Sequence, residues 1–315
     1  MAEFYKLVET AKAMVSPGKG ILAMDESNGT MNGRLEAVGL PQTEEYRDAW
    51  RKVIVTTPNM GGLGAAILYY ETLTQEIGNK TVPQILKDKG VIPGVKTDKG
   101  KQEIIEPYKE NLTVGLDDLS GRLDLYREQG ARFTKWRSEF VIGDKTPSVA
   151  AINANAYGLA VQALLSQRAG LVPMVEPEVL IKGTHDINRA YRVGQQVLSA
   201  VFEKMDEVGV YLPGAILKPS MITPGDKCES KASVEEVAAA TVECFTEGNL
   251  VPNNLAAVAF LSGGQPELDA ALNLNAMNNR KYELPTRFTF SYSRAILGKP
   301  LEAWNGQSGN IKKTQ

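Results

Sequence analysis

The chain has 315 residues, 43% of them hydrophobic, with 35 Lys plus Arg against 37 Asp plus Glu and a formal net charge of −2. That length suits one large α/β barrel or two ordinary domains. The balanced charge, with no long single-sign run, excludes the electrostatic footprint of a nucleic-acid or anionic-membrane binder, and the apolar runs fall short of the ~20 residues of a spanning helix.

The N-terminal stretch "MAEFYKLVETAKAMVSPGKG" goes straight into an amphipathic pattern, without an apolar h-region or cleavage site. A cytoplasmic setting is expected; a mature plastid form would read the same once its transit peptide was removed. Short apolar runs flanked by Gly or Pro then alternate with longer charged segments. In chain order the runs are Gly20–Met24 (GILAM), Ala65–Tyr69 (AAILY), Val91–Val95 (VIPGV), Ala131–Trp136 (ARFTKW), Leu171–Val175 (LVPMV), Gly214–Leu217 (GAIL), Ala257–Leu261 (AVAFL) and Arg287–Phe290 (RFTF). Continuous apolar runs predict parallel strands buried on both faces. Between them the pattern predicts helices over Thr43–Val55, Leu116–Gln129, Ser148–Arg168, Asp186–Val208 and Val234–Gly248. Asp186 caps one of these, and Ser233 with Glu236 forms a capping box before another.

Eight strands alternating with helices give the α/β class and the count of a (β/α)8 TIM barrel, here as a single domain over 1–315. A doubly wound open sheet is the alternative on pattern alone. No repeat, low-complexity segment or linker argues for a second unit. Cys228 and Cys244 make neither a disulfide framework nor a metal motif and read as free thiols of a reducing compartment. One histidine, His185, is too few for a common catalytic zinc site, and a Ser–His or Cys–His device would need this one.

In a barrel the active site lies at the C-terminal ends of the strands. Asp25, Glu26 and Ser27 follow the first run, Lys96 follows the third, Lys135 and Arg137 lie in or just after the fourth, Glu176 and Glu178 follow the fifth, and Lys218 follows the sixth. Ser262-Gly263-Gly264-Gln265 follows the seventh and Ser291-Tyr292-Ser293-Arg294 the eighth. Several cations, at least two carboxylates and a glycine-rich turn converging on one mouth predict an anionic substrate and proton-transfer chemistry. Each element also has a plain structural reading. Asp25 caps the next helix, Lys96 sits among solvated lysines, and "VEPEV" forms structural ion pairs. "TKWR" becomes a cation–aromatic cluster, and Lys218 snorkels out to water. Scattered structural charges, however, have no reason to fall together at strand ends.

"LSGGQ" matches the signature of ATP-binding-cassette ATPases. That reading needs a Walker A loop, and the Gly-Lys pairs here are followed by Gly20, Gln102 and Pro300, never Ser or Thr. After a strand, Ser-Gly-Gly instead forms a backbone nest suited to a phosphate, or an ordinary tight turn.

"GKGILAMDES", "PGVKTDKG", "ARFTKWR", "GLVPMVEPEVL", "ILKPSMITPG", "FLSGGQPELDAALNLNAMN" and "FTFSYSRAIL" resemble, in this order, the motifs of class I fructose-bisphosphate aldolases. The resemblance runs from about Ala11 to Trp304, and "LAMDESNGT" and "LKPSM" are closest to the plastid and bacterial branch. It implies metal-independent, reversible cleavage of fructose 1,6-bisphosphate to dihydroxyacetone phosphate and glyceraldehyde 3-phosphate, within glycolysis, gluconeogenesis or the Calvin cycle. Lys218 matches the lysine that forms a Schiff base with the substrate ketone, an electron sink for carbon–carbon cleavage. Glu176 matches the general acid/base, Glu178 its supporting carboxylate, and Asp25 the aspartate that assists cleavage and orients the lysines. Lys135 matches a second lysine, whose charge disfavours protonation of an amine beside it. Ser262, Gly263 and Arg294 match the C1-phosphate pocket; Lys96, Arg137, Ser27 and Thr30 match or approach the C6-phosphate side. No cofactor and no metal are implied, since an iminium replaces the Lewis-acid metal of the zinc-dependent class. The implied partner is a small phosphosugar, and the implied assembly a homo-oligomer, commonly a tetramer.

Three departures stand out. The family usually ends in a flexible tail with a terminal tyrosine that helps proton exchange at C3 of the enamine, whereas this sequence stops at Gln315 in "NIKKTQ". Gly33 stands where a basic residue often precedes the arginine matching Arg34, so weaker C6-phosphate binding is expected. Ser293 replaces a Gly or Ala beside the C1 phosphate, adding a hydrogen bond or crowding the site. Two other readings stay in competition. One is a preference for another ketose such as sedoheptulose 1,7-bisphosphate. The other is a catalytically weak binding or scaffolding protein on the same fold.

Overall fold

The computed structural model describes residues 2–279 and 281–315. Each of the eight apolar runs forms a strand: β1 (Gly20–Met24), β2 (Leu63–Leu68), β3 (Ile92–Lys96), β4 (Phe133–Phe140), β5 (Val172–Val179), β6 (Ile216–Leu217), β7 (Ala257–Phe260) and β8 (Phe288–Tyr292). Neighbours pair in parallel and β1 pairs with β8, Ile21 opposite Ser291, so the sheet closes into a barrel. The open-sheet alternative is thereby excluded.

Strand alternation divides the apolar side chains into two sets. Ile21, Ala23, Ile67, Phe133, Met174, Ile216 and Ala259 form one cluster inside the barrel. Leu7, Ala11 and Met14 of the first helix (Ala2–Met14) belong to that cluster and close its lower end. Leu22, Met24, Leu68 and Val95 face outward with Trp50, Val53 and Ile54 of the helix Glu44–Val55. Trp136, Phe140, Val175 and Leu217 likewise meet the helices Val149–Arg168 and Ile187–Glu207.

β4 and β5 run four residues beyond the expected ends, Trp136 and Val175. The apolar runs stop early because the inward positions turn charged at the mouth, while Phe140 and Val179 still pair at the ladder's end. β6 is shorter than expected, since Leu212–Gly214 turns as a 3-10 helix before it. Four helices start where expected: Asp186 and Ser233 cap as expected, with Glu236 completing the capping box, and Thr43 and Ser148 cap likewise, whereas the helix expected from Leu116 starts at Leu119 with no side-chain cap from Asp118. The expected ends Val55 and Arg168 are met, two other helices end one residue early at Glu128 and Glu207, and the last ends two early at Thr246. After Thr246, Gly248 adopts a left-handed φ of 59° in a separate 3-10 turn.

One helix departs from the expectation that no segment reaches membrane-spanning length. Val149–Arg168 has 20 residues and a mean hydropathy of 1.2, enough to cross a membrane by length and composition. Here it lies against β4 and β5, with Asn155, Gln162, Ser166 and Gln167 buried. Thr134, Gln162 and Ser166 bond to one another at 2.8 Å.

Candidate active site

The alternation that fills the barrel with apolar side chains also builds its mouth. Two residues beyond inward Ala23 stands Asp25; beyond Met174 stand Glu176 and Glu178; beyond Ile216 stands Lys218. On β4 the inward series continues from Phe133 through Lys135, Arg137 and Glu139. The register sets Arg137 opposite Glu176 and Glu139 opposite Glu178. These residues surround a cavity of about 480 Å³.

Lys218 continues β6 by one hydrogen bond, its N–H donating to Val175 O at 2.7 Å. Pro219 has no N–H to donate, but its carbonyl still accepts from Leu261 N–H at 3.0 Å, so bonding toward β7 reaches one residue further. The Lys218 side chain does not snorkel: the residue is 3% exposed, with Nζ 2.9 Å from Glu176 Oε1. Lys135 Nζ lies 2.5 Å from Asp25 Oδ2 and 3.0 Å from Glu176 Oε2. Two lysines and two carboxylates thus share one buried cluster, with Glu176 between the ammonium groups. Glu176 Oε2 has no hydrogen-bond partner, so its approach to Lys135 is a charge contact that leaves an acceptor open.

Burial opposes the charge on Asp25, Glu176 and Lys135, but the opposite charges outweigh it. Lys135, then Lys218, hold Asp25 well below the usual carboxylate range; the same two lysines, with Arg137, lower Glu176. Asp25 and Glu176 hold Lys135 above the ordinary lysine value against its own burial. Glu178 moves the other way: burial, with Glu176 nearby, raises it despite Arg137 Nε at 2.5 Å. The neighbouring carboxylates of Glu178 and Glu176 outweigh burial and raise Arg137.

The pH dependence follows by sign. Asp25 and Glu176 are depressed from 3.8 and 4.5, so they contribute stability above those values that is lost as pH falls through and below them. Lys135 is raised from 10.5, so its contribution is complete below that value and fades as pH rises past it. Glu178, raised from 4.5, works against the acid arm. Tm measured from acid to alkali should therefore hold across neutral pH and decline below pH 4.5; a Tm that climbs there would contradict these assignments. Lys135→Met leaves two buried carboxylates short of a partner and should cost about 3–5 kcal/mol by denaturant unfolding. A loss under about 1 kcal/mol would mean the cluster is not held by charge.

At one end of the cavity the segment after β7 turns back. Gly263 and Gly264 have φ of 59° and 91°, which side chains rarely adopt, and Gln265 N–H donates to Ser262 O at 2.9 Å. A Cβ on Gly264 would lie 3.4 Å from Arg294 Nη2. The glycine turn and Arg294, first residue of the helix Arg294–Trp304, are therefore neighbours. Ser293 Oγ donates to Glu26 Oε1 at 2.7 Å and accepts from Arg34 Nη1 at 3.0 Å. Its hydroxyl therefore joins a wall network with Glu26 and Arg34.

At the other end lie Lys96, Arg137, Ser27 and Thr30. Lys96 pairs with Asp98 Oδ1 at 2.6 Å with 14% of its side chain exposed, so it is not one of a solvated run. Ser27, not Asp25, caps the helix Asn28–Ala37, accepting from Thr30 N–H at 3.4 Å; the two hydroxyls lie 3.1 Å apart. A Cβ on Gly33 would meet no heavy atom within 4 Å, so that position leaves open space. Trp136 packs in the outer core with no cation of its own segment over its ring, which removes the cation–aromatic reading of "TKWR". Glu178 does form the ion pair that the plain reading expected.

All twelve predicted residues line this cavity. Sequence reasoning brought Glu26 to the mouth but gave it no role; Arg51 holds it at 2.6 Å while Arg34 and Ser293 hold its other oxygen. A signal existed: Arg47, Trp50, Arg51 and Ile54 share one helical face, and two arginines on a buried stripe demand carboxylates. Asp98, Lys101 and Glu139 were missed. His185 stands apart, lining a small enclosed cavity with Val197 and Ile222, its Nδ1 buried without a partner.

The model of the family "Fructose-bisphosphate aldolase class-I" matches residues 6–315. The chain belongs to the class-I fructose-bisphosphate aldolases. Relatives in this family include a probable fructose-bisphosphate aldolase class 1 of Xylella fastidiosa, 45% identical over 313 residues, covering 98% of this chain and 93% of that protein. Another is the cytosolic fructose-bisphosphate aldolase 4 of Arabidopsis thaliana, 43% identical, with 99% of this chain and 79% of that one covered. The chloroplastic fructose-bisphosphate aldolase 2 of Pisum sativum is 44% identical, with 98% and 88% covered. Among solved structures, the fructose-bisphosphate aldolase of Plasmodium falciparum, in a complex with TRAP and a small-molecule inhibitor, superposes with a TM-score of 0.96 at 40% identity. That superposition covers 99% of this chain and 90% of the Plasmodium chain. Both branches suggested by "LAMDESNGT" and "LKPSM" are thus represented among these aldolases.

Proposed function

We propose that Lys218 forms a Schiff base with C2 of fructose 1,6-bisphosphate, and that the buried cluster around it breaks the C3–C4 bond. The observation that carries this reading is a buried amine 2.9 Å from a carboxylate, midway between two cationic ends of one cavity. β4 and β8 stand four places apart in an eight-strand ring, so Arg137 and Arg294 face each other across the mouth. A ligand with a phosphate at each end fits that spacing of charge.

The steps follow from the positions. Lys218 passes a proton to Glu176, and its lone pair attacks the C2 carbonyl. Glu176 returns a proton to the carbinolamine hydroxyl, water leaves, and an iminium forms. A base then takes the C4 hydroxyl proton; that Glu176 Oε2 has no hydrogen-bond partner among the described residues supports this role for it. The C3–C4 electron pair flows into the iminium, giving an enamine and free glyceraldehyde 3-phosphate. Protonation at C3 and hydrolysis release dihydroxyacetone phosphate and restore the amine. Lys135 and Asp25 hold the charges of the cluster in place throughout. Preorganised charge of this kind stabilises the iminium as it forms. The glycine turn at Ser262–Gly263 with Arg294 takes the C1 phosphate; Lys96, Arg137, Ser27 and Thr30 face the C6 phosphate.

A coupled assay for triose phosphate release tests the reading: turnover of fructose 1,6-bisphosphate that survives dialysis against EDTA is expected. Collapse of activity on chelation would overturn it. Running sedoheptulose 1,7-bisphosphate beside it decides the sugar preference through kcat/KM. Turnover at an enzymatic rate also removes the scaffold reading. A homotetramer in a reducing cytosol or plastid stroma completes the proposal, supported by relatives named cytosolic and chloroplastic. Sedimentation equilibrium reads the assembly directly.

A further inference from the structure

Among the described residues the mouth carries two cations to which the proposed mechanism gives no task, Arg34 and Lys101, and Arg34 is tied into the wall by Glu26 and Ser293. Lys101 opens the hairpin Lys101–Ile105/Glu110–Thr113, which follows β3, and lines the same cavity as Lys218. Its Nζ pairs with Glu139, on the inward face of β4 two residues past Arg137. Glu139 also holds Arg137 Nη1 at 2.7 Å, while Glu178 holds Arg137 Nε at 2.5 Å.

The three cations at this end are therefore tied differently. Lys96 is bound to Asp98, and Arg137 is gripped by two carboxylates. Of the three, only Lys101 rests on a single carboxylate that a second cation also uses: if it leaves, Glu139 keeps Arg137. Its side chain is also the most open of the three, at 48% exposed against 37% for Arg137 and 14% for Lys96. Exchanging one anionic partner for another takes little desolvation at such a site, and a four-carbon stem gives the ammonium reach.

We propose that Lys101 is a specificity-determining residue that binds the distal phosphate of a bisphosphate sugar, and that Glu139 holds it in reserve when that phosphate is absent. This rests on the reading that a bisphosphate spans the cavity. A pair that only braces the hairpin would be broken alike by removing either partner. A binding cation and its competitor give opposite results.

The test uses the full chain with fructose 1,6-bisphosphate and with fructose 1-phosphate, which lacks the distal group. Lys101→Gln should raise KM for the bisphosphate about ten-fold, as expected for loss of a hydrogen bond to a charged group, and should lower the bisphosphate-to-monophosphate ratio of kcat/KM by a similar factor. Lys101→Arg should recover most of both. Glu139→Gln keeps an acceptor for Arg137 but frees Lys101, so KM for the bisphosphate should fall. If both substitutions raise KM, or change the two sugars equally, Lys101 only braces the hairpin and the proposal is overturned. An active wild type whose ratio is unchanged by Lys101→Gln overturns it alone. A wild type that cleaves neither sugar overturns the underlying reading and this inference together.

Discussion

Lys218→Ala should lose about 10⁴-fold or more in kcat for fructose 1,6-bisphosphate cleavage, because without a covalent electron sink the C3–C4 bond has no low-energy path. The fold should survive, since Glu176, the ion-pair partner of Lys218, still has Lys135 within 3.0 Å. Lys218→Arg is the sharper companion. It keeps the positive charge beside Glu176 but offers no amine able to form an imine. It should be as inactive as the alanine variant, with a Tm near that of the wild type. Substantial activity in the arginine variant would mean that charge, not nucleophilicity, is what this position supplies.

Glu176→Gln is expected to cut kcat by about 10²–10⁴-fold, the range for a general acid/base. The amide still occupies the space between the lysines but cannot carry the proton from Lys218 or accept that of the C4 hydroxyl. Glu178→Gln should cost far less, roughly ten-fold, as it would act by supporting Glu176 and Arg137 rather than by moving the proton itself. Single-turnover kinetics separate the cases, because loss of the proton carrier slows imine formation as well as cleavage. Equal effects at the two positions would shift the acid/base role from Glu176 to the pair.

The barrel was legible because its strands are apolar on both faces, and the site because inward positions change chemistry at the mouth. Ala23 to Asp25, Met174 to Glu176 and Ile216 to Lys218 are steps of two along strands whose phase the apolar residues had already set. Strand ends were less legible for the same reason: Arg137 and Glu178 interrupt the apolar run without ending the ladder. That Glu178 would form an ion pair was legible, but which charge meets which was not. Whether Lys101 meets Glu139, or Arg51 meets Glu26, depends on how hairpin, helix and strand are brought together, and no spacing along the chain encodes it. Asp25 illustrates the limit. Its position after β1 suits either an N-cap or a catalytic group, and only the cap on Ser27 and the contact with Lys135 separate the two.

The central claim is that Lys218 bonds covalently to a ketone. Borohydride reduction in the presence of dihydroxyacetone phosphate, followed by peptide mapping with mass spectrometry, tests it most directly. The account predicts one stable adduct per chain, on the peptide containing Lys218, and none on the Lys218→Ala variant. An adduct on Lys135, or no adduct at all while the enzyme turns over, would contradict it.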